Sequence, residues 1–467
     1  MSRTSRPRRL AAGLSAAALA CVSLTAVTTA HAAVADDGPL MNYVINAKAT
    51  PGHVRKAENA VRDAGGTVLV SYKQFGVIVA QSTNPAFSTD IRSTHNGREV
   101  QSVGATRTAA VSEGAATGLK SIEDAEANPV LDPREHEQWD MVQIKADQAH
   151  QVTDGSRDVL VGINDSGIDD THPDLAPNFD AANSVNCVNN GVPDTTPGAW
   201  RPTTSSHGTH VAGTVAAARN GVGIVGVAPG VRIASVKVVN DDGFIYPEYS
   251  ICGIVWAAQH KMAVTNHSYY IDPFQFWCKD NGDQGAVQEA VRRAYVWATD
   301  QGTLSVAAAG NSNYDLANKT TDNSSPNDTT PVTRTIDNDC LDMPTELPGV
   351  ITVASTTMAG AKSSFSNFGL GKIDVAAPGS SILSTLPGNR YGLSSGTSMA
   401  SPHVAGVAAL LKSTHPQWGP RDLERALWRE ADDTACPTTP DPRCTGTTEN
   451  NAFYGEGITD ALDAVTP

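Results

Sequence analysis

Beyond residue 32 the sequence has no apolar run approaching the ~20 residues needed to cross a bilayer, so nothing there would hold the chain in a membrane. It also lacks a basic surplus: 34 Lys and Arg stand against 49 Asp and Glu, a formal charge of −15. That balance argues against nucleic acid and anionic membrane surfaces as partners. Cysteine is sparse, 7 in 467 residues, and none falls in the CxxC pairs of a zinc site. Apolar content is ample for a sizeable core, and the length calls for two or three units rather than one small domain.

Residues 1–32 read as a removable leader, with a basic start "MSRTSRPRRL", an apolar run, and "AHA" as a small-x-small cleavage site after Ala32. The apolar run continues past Cys21, so Cys21 is expected to leave with the leader rather than carry a lipid. Adjacent Arg8 and Arg9 leave both the general and the twin-arginine export routes open. Loss of Arg3, Arg6, Arg8 and Arg9, with no acidic residue, moves the charge from −15 to −19. A secreted, extracellular monomer is expected. The six remaining cysteines, Cys187, Cys252, Cys278, Cys340, Cys436 and Cys444, suit three disulfides in an oxidising compartment. Fifteen pairings are possible, and proximity singles out Cys436 with Cys444 alone.

From Met41 a strand, a helix with Val54, Ala57, Val61 and Ala64 on one face, and two strands in "TVLVSYKQFGVIVAQ" follow one another. A second helix around Phe87 and Ile91 and the strand "REVQSVG" complete a small α+β unit, residues 33–105. Residues 106–136 are rich in Ala, Thr, Gly, Ser and Glu and poor in aromatics, the composition of a linker. From residue 137 to 467, a helix over Trp139–Ala149 leads into "DVLVGINDSG". Short apolar strands then alternate with helices such as "YSICGIVWAAQHK" and "AVQEAVRRAYVWATDQG". This order predicts an α/β fold with a parallel sheet covered by helices on both faces. Function in such sheets sits at the carboxyl ends of the strands, where "NDSG", "NHSYY" and "AAAGNSN" collect polar residues.

A serine hydroxyl is a weak nucleophile until a base takes its proton, so a functional serine needs a histidine oriented by a carboxylate. "GINDSGIDD" offers Asp165 at a strand end, "SSHGTHVAG" offers His207 just before a helix, and "GTSMASPHVAG" offers Ser398. Ala400, Val404, Val407 and Leu411 recur at helical spacing after Ser398, and Pro402 is expected in the first turn of that helix. Ser398 then lies at a helix N-terminus, where N–H groups favour negative charge. Taken singly, each residue reads as well as a cap or a structural histidine.

Together the three motifs, in the order Asp, His, Ser, resemble the signatures of the subtilisin-like serine peptidases, and the resemblance runs from about Gln138 to the end of the chain. An α/β-hydrolase would place serine first and in a GxSxG frame, whereas here the frame is Gly396-Thr397-Ser398-Met399-Ala400. The resemblance implies Asp165 as orienting acid, His207 as general base, Ser398 as nucleophile and Asn311 as oxyanion donor, acting through an acyl-enzyme on protein or peptide substrates. It implies substrate contacts from Ser268, Ala309 and Gly310. "NHSYYI" departs from the family's Ser-Leu-Gly, so Tyr269 and Tyr270 are expected to reshape the side-chain pockets. Asp174 and Asn220 match positions that ligate structural calcium in many relatives, with carbonyls near Ala218, Val222 and Ile224; the other reading of that loop is an Asn-Gly turn. The unit over 33–105 resembles the family propeptide, a folding aid and intramolecular inhibitor, with self-cleavage expected in the linker. His172, His210, His267 and His403 are expected to be structural.

Overall fold

The computed structural model describes residues 38–109, 121–122 and 132–466. The leader through Ala32 with Cys21, and most of the linker, lie outside the described residues. The amino-terminal unit is built from β1 (Met41–Ala47), α1 (Pro51–Asp63), β2 (Gly66–Tyr72), β3 (Val77–Ser82), α2 (Phe87–Ser93) and β4 (Val100–Ala105). Its sheet is antiparallel in the order β2-β3-β1-β4. Val54, Ala57, Ala60 and Val61 recur on one face of α1 and close the core over this sheet with Phe87 and Ile91 of α2.

The larger part is a seven-stranded parallel sheet. Its strands are β5 (Leu160–Asp165), β6 (Val185–Asn186), β7 (Arg232–Lys237), β8 (Val264–His267), β9 (Leu304–Ala308), β10 (Val350–Thr356) and β11 (Val375–Pro378), in the order β11-β10-β9-β8-β5-β7-β6. β5, β7, β8, β9, β10 and β11 are buried almost throughout, as strands covered on both faces must be. The flanking helices are α3 (His207–Ala216), α4 (Pro247–Gln259), α5 (Gly282–Asp300), α6 (Thr397–Thr414) and α7 (Pro420–Arg429). The parallel α/β architecture is therefore the one the alternation of elements predicts.

Three details differ from the sequence reading. The expected helix over Trp139–Ala149 is two short helices, Trp139–Gln143 and Ala146–Ala149. The break falls where Lys145 adopts a left-handed φ of 56°, and its ammonium pairs with Asp432 at 2.9 Å and with buried Asp460. His207 is the first residue of α3 rather than preceding it. Pro402 is not in the first turn of α6 but sixth in a helix that begins at Thr397. Three disulfides form, Cys187–Cys252, Cys278–Cys340 and Cys436–Cys444, the last as proximity suggested.

The amino-terminal unit seats on α4 and α5. Val44, Tyr72, Phe75, Val77 and Val79 share one apolar cluster with Ile254, Val255, Ala290, Val291 and Ala294. Polar pins ring it: Asn46 Nδ2 donates to the Ala286 carbonyl at 2.8 Å, and Arg293 Nη1 to the Ala47 carbonyl at 2.8 Å. Glu248, in the first turn of α4, is buried; one carboxylate oxygen accepts from Asn42 Nδ2 at 2.5 Å and from the Arg107 guanidinium.

Candidate active site

β5, β8 and β9 lie side by side in register, Asn164 opposite His267 and His267 opposite Ala307. Their carboxyl ends therefore deliver Asp165, Ser268 and the Ala309–Asn311 turn to one place. Asp165 is 1% exposed; its Oδ1 accepts the Ser166 N–H at 2.7 Å, and its two oxygens lie 2.9 and 3.0 Å from His207 Nδ1. This approach needs Gly208: a Cβ there would sit 2.5 Å from the Gly167 carbonyl oxygen and 3.1 Å from the Asp165 Cβ. Burial pushes the His207 pKa down, and the charge and hydrogen bond of Asp165 more than offset it, leaving the pKa raised.

The other histidines behave differently. His210 bonds the Ile382 and Gly392 carbonyls through Nε2, and burial with the nearby His207 holds its pKa down to about 4. Burial takes His267 to about 3, between Thr265 Oγ1 and Tyr269 Oη. His403 is tied to Asp140 at 2.9 Å and to the Met399 carbonyl at 2.8 Å, and His172 to the Arg390 carbonyl at 3.0 Å.

Ser398 is the second residue of α6, so its backbone N–H lies in the turn that has no intrahelical acceptors. Its Oγ donates to the Ser268 carbonyl at 3.2 Å. Pro402 has no N–H to give the carbonyl four residues earlier, which is that of Ser398, and Ser268 Oγ donates to it instead at 2.8 Å. Asn311 Oδ1 accepts from Thr397 N and Oγ1 at 2.8 and 2.9 Å. That orientation leaves Asn311 Nδ2, which donates to no group among the described residues, beside the start of α6.

The substrate residues expected from the sequence separate into two groups. Tyr269, Tyr270 and Gly310 line a cavity of about 120 Å³ beside Ser398 and Asn311, while Ala309 is buried behind it with its carbonyl accepting from Asn367 Nδ2 at 2.8 Å. The Tyr269 hydroxyl meets Ser250, His267 and Tyr295 in a buried network. The Tyr270 hydroxyl accepts from Asn327 Nδ2 at 2.9 Å. Asp342 also lines this cavity; sequence reasoning passed over it, because nothing local to "CLDMP" marks a residue brought in by the chain between β9 and β10.

Asp174, from the chain before α3, meets the loop after α3 that carries Asn220, whose Nδ2 donates to the Pro173 carbonyl at 3.0 Å. Asp174 Oδ2 accepts from Ile224 N at 3.0 Å and Tyr391 Oη at 2.9 Å, and its Oδ1 is buried without a partner. Asp132 joins them unforeseen, its Oδ1 accepting from Gly221 N at 2.5 Å and its Oδ2 likewise unpartnered. Burial raises the Asp174 pKa to about 7, with Asp132 adding to it, and burial raises Asp132 as well. Two orphaned carboxylate oxygens around one loop fit a hard cation. No group of three or more His, Cys, Asp or Glu residues is poised for a metal among the described residues, so backbone carbonyls would complete the shell. Asn220 Oδ1 caps Val222 N at 3.1 Å, the turn bond of the alternative reading.

A parallel α/β sheet whose strand ends gather an Asp–His pair and a helix-terminal serine is the build of a serine endopeptidase. The model of the subtilase family matches residues 156–457, and the chain belongs to that family. It is 38% identical to subtilisin of Bacillus pumilus over 276 residues, which are 59% of this chain and 84% of that protein. Against subtilisin NAT of Bacillus subtilis subsp. natto it is 37% identical, again over 59% of this chain but 61% of the relative's length. In fold it resembles the epidermin leader peptide processing serine protease of Staphylococcus aureus, with a TM-score of 0.67 at 21% identity, over 92% of this chain and 98% of that one.

The Ser268–Ser398 bond generates a direct test. Ser268→Ala leaves the half-buried Ser398 carbonyl without this donor, and is expected to cost about 1 kcal/mol in urea unfolding. An unchanged midpoint would show that the helix closes this gap by other means.

Proposed function

We propose that Asp165, His207 and Ser398 act as the acyl-transfer triad of a secreted endopeptidase made as a self-processing proform. The observation that carries the reading is the buried Asp165 carboxylate on His207 Nδ1, and a serine at the N-terminus of α6 supports it. In the proposed cycle Ser398 Oγ turns from the Ser268 carbonyl to His207 Nε2, gives up its proton and attacks the scissile carbonyl. The oxyanion is received by Asn311 Nδ2 and the Ser398 N–H, donors of the kind that stabilise charge developing in the transition state. His207 passes the proton to the leaving amine, which departs as the acyl-enzyme forms, and Asp165 stabilises the imidazolium meanwhile. Water, deprotonated by His207, then releases the second product.

The proposed organisation is a leader over 1–32, a propeptide over 33–105, a linker with the maturation site over 106–136, and a catalytic domain over 137–467. The seat of residues 41–107 on α4 and α5 supports the propeptide as an intramolecular partner. The proposed mature protein is an extracellular monomer acting on peptides, with neither nucleic acid nor membrane as partner. Among the described residues no helix is long and apolar enough to cross a membrane. Asp174, Asp132, the Asn220 side chain and neighbouring carbonyls would hold calcium, which supplies charge compensation for the loop and takes no part in the reaction.

Three outcomes are expected. A fluorophosphonate should label the wild type at near catalytic-domain mass, while Ser398→Ala stays unlabelled and keeps its propeptide on intact-mass analysis; an unlabelled wild type retaining the full proform would overturn the reading. Catalysis needs neutral His207, whose pKa is raised, so kcat/KM should fall as pH drops through an apparent pKa above the ordinary ~6.5; a limb below pH 6 would contradict the Asp165 pairing. Calcium should raise the thermal midpoint above that measured in chelator, and equal midpoints would remove the cation from the Asp174 loop.

A further inference from the structure

The cavity beside Ser398 holds a second feature besides its position. Asn311, Ser398, Tyr270, Ala308, Gly310 and Asp342 are among the residues that line it. Asp342 is 2% exposed, and no donor reaches its carboxylate among the described residues. Its Oδ2 comes within 3.6 Å of where a Cβ on Gly310 would stand, which places the carboxylate behind the same turn that carries Asn311. Gly310 itself has a φ of 99° and could not bear that Cβ, which would lie 2.4 Å from Asn367 Nδ2.

The neighbouring cations are already engaged. Lys319 Nζ donates to both Glu346 oxygens at 2.6 Å, and Lys372 Nζ to one of them at 2.9 Å. The Asp342 backbone N–H also goes to Glu346, at 2.9 Å. Burial, and then the Glu346 charge, raise the Asp342 pKa well above the carboxylate range, and the Lys319 charge only partly opposes them. Among the residues lining the cavity Asp342 is the one carboxyl group, and a cation brought beside it would favour its ionised form.

We propose that Asp342 is a specificity-determining residue that selects peptides with Lys or Arg at the position supplying the attacked carbonyl. The side chain of that position is the one that reaches a cavity opening beside Ser398 and Asn311. Its methylenes would lie along Tyr270 and Ala308, and its cation would meet the unpartnered carboxylate; an apolar side chain would bury that acid with nothing opposite it. Non-covalent pairing is all that is invoked, and the inference rests on Ser398 being the nucleophile.

The test uses protein expressed from the full chain and peptides of one sequence differing only before the scissile bond, with Arg, Lys, Leu, Phe or Glu. The wild type is expected to favour Arg and Lys over Leu and Phe by about tenfold or more in kcat/KM. Asp342→Asn, with Asp342→Ser as a second variant should the first fold poorly, should lower the Arg-to-Leu ratio by a similar factor. Leu or Phe cleaved as fast as Arg by a wild type that takes up fluorophosphonate would overturn the basic preference and leave the protease reading standing. An unchanged Arg-to-Leu ratio in both variants would overturn the role of Asp342. No cleavage of any peptide together with no labelling would overturn both readings.

Discussion

The site hangs on a joint between one strand end and one helix start. Pro402 deprives α6 of the N–H that would close on the Ser398 carbonyl, and Ser268 Oγ supplies the missing donor at 2.8 Å. Ser401 Oγ donates to Asn266 Oδ1 at 2.7 Å, and Asn266 Nδ2 to Ser268 Oγ at 2.9 Å, so β8 is sewn to two turns of the helix. Because β8 runs in register with β5 and β9, fixing Ser398 on β8 also fixes it relative to Asp165 and Asn311. The helix is buried along most of its length, which leaves its first turn little freedom to drift.

Much of this was legible in the sequence, for reasons that can be named. Alternating apolar strands and amphipathic helices predict the parallel sheet because burial on both faces writes itself into composition. Asp165, His207 and Ser398 stand out because each lies in a short glycine-flanked motif at an element boundary. What was not legible depends on residues distant in sequence. The placement of Pro402 follows from where α6 begins, which Asn311 helps decide by accepting from Thr397. The break at Lys145 answers to Asp432 and Asp460, some three hundred residues away. Asp132 and Asp342 carry no local signature at all; each matters only through what the fold places, or fails to place, beside its carboxylate.

Buried acids make that last point plainly, since one side chain type meets three different fates. Asp165 is held by the Ser166 N–H and His207, while Asp140 is held by His403 at 2.9 Å through one oxygen and keeps the other without a partner. Asp174 and Asp132 each keep one oxygen without a partner and repel one another across a loop whose N–H groups satisfy the rest. Asp342 receives no side-chain donor among the described residues, because Glu346 takes Lys319, whose charge reaches it, and Lys372 as well. An ionised carboxylate left so in low dielectric either takes up a proton or waits for an external cation. The Asp174 loop and the cavity beside Ser398 are on this argument places where a cation from outside would complete the electrostatics.

The seat of the amino-terminal unit follows the same logic in reverse, for it supplies partners that are in place only while it stays. Glu248 is buried because Asn42 and Arg107 cover it, and their donors offset the cost of its desolvation. Without them Glu248 would depend on the N-terminus of α4, where a carboxylate is favourable without a cation. The apolar part of the seat engages α4 and α5 faces that continue into the core beneath, so the larger part keeps its own packing when uncovered. Arg107 is the second residue of the linker that follows β4, the stretch proposed for maturation. A cut there frees the end of the chain that bears the strongest polar pin, and the remaining contacts must hold the unit without it. Cutting the linker and loosening the seat are in this way physically coupled, through one guanidinium on one buried carboxylate.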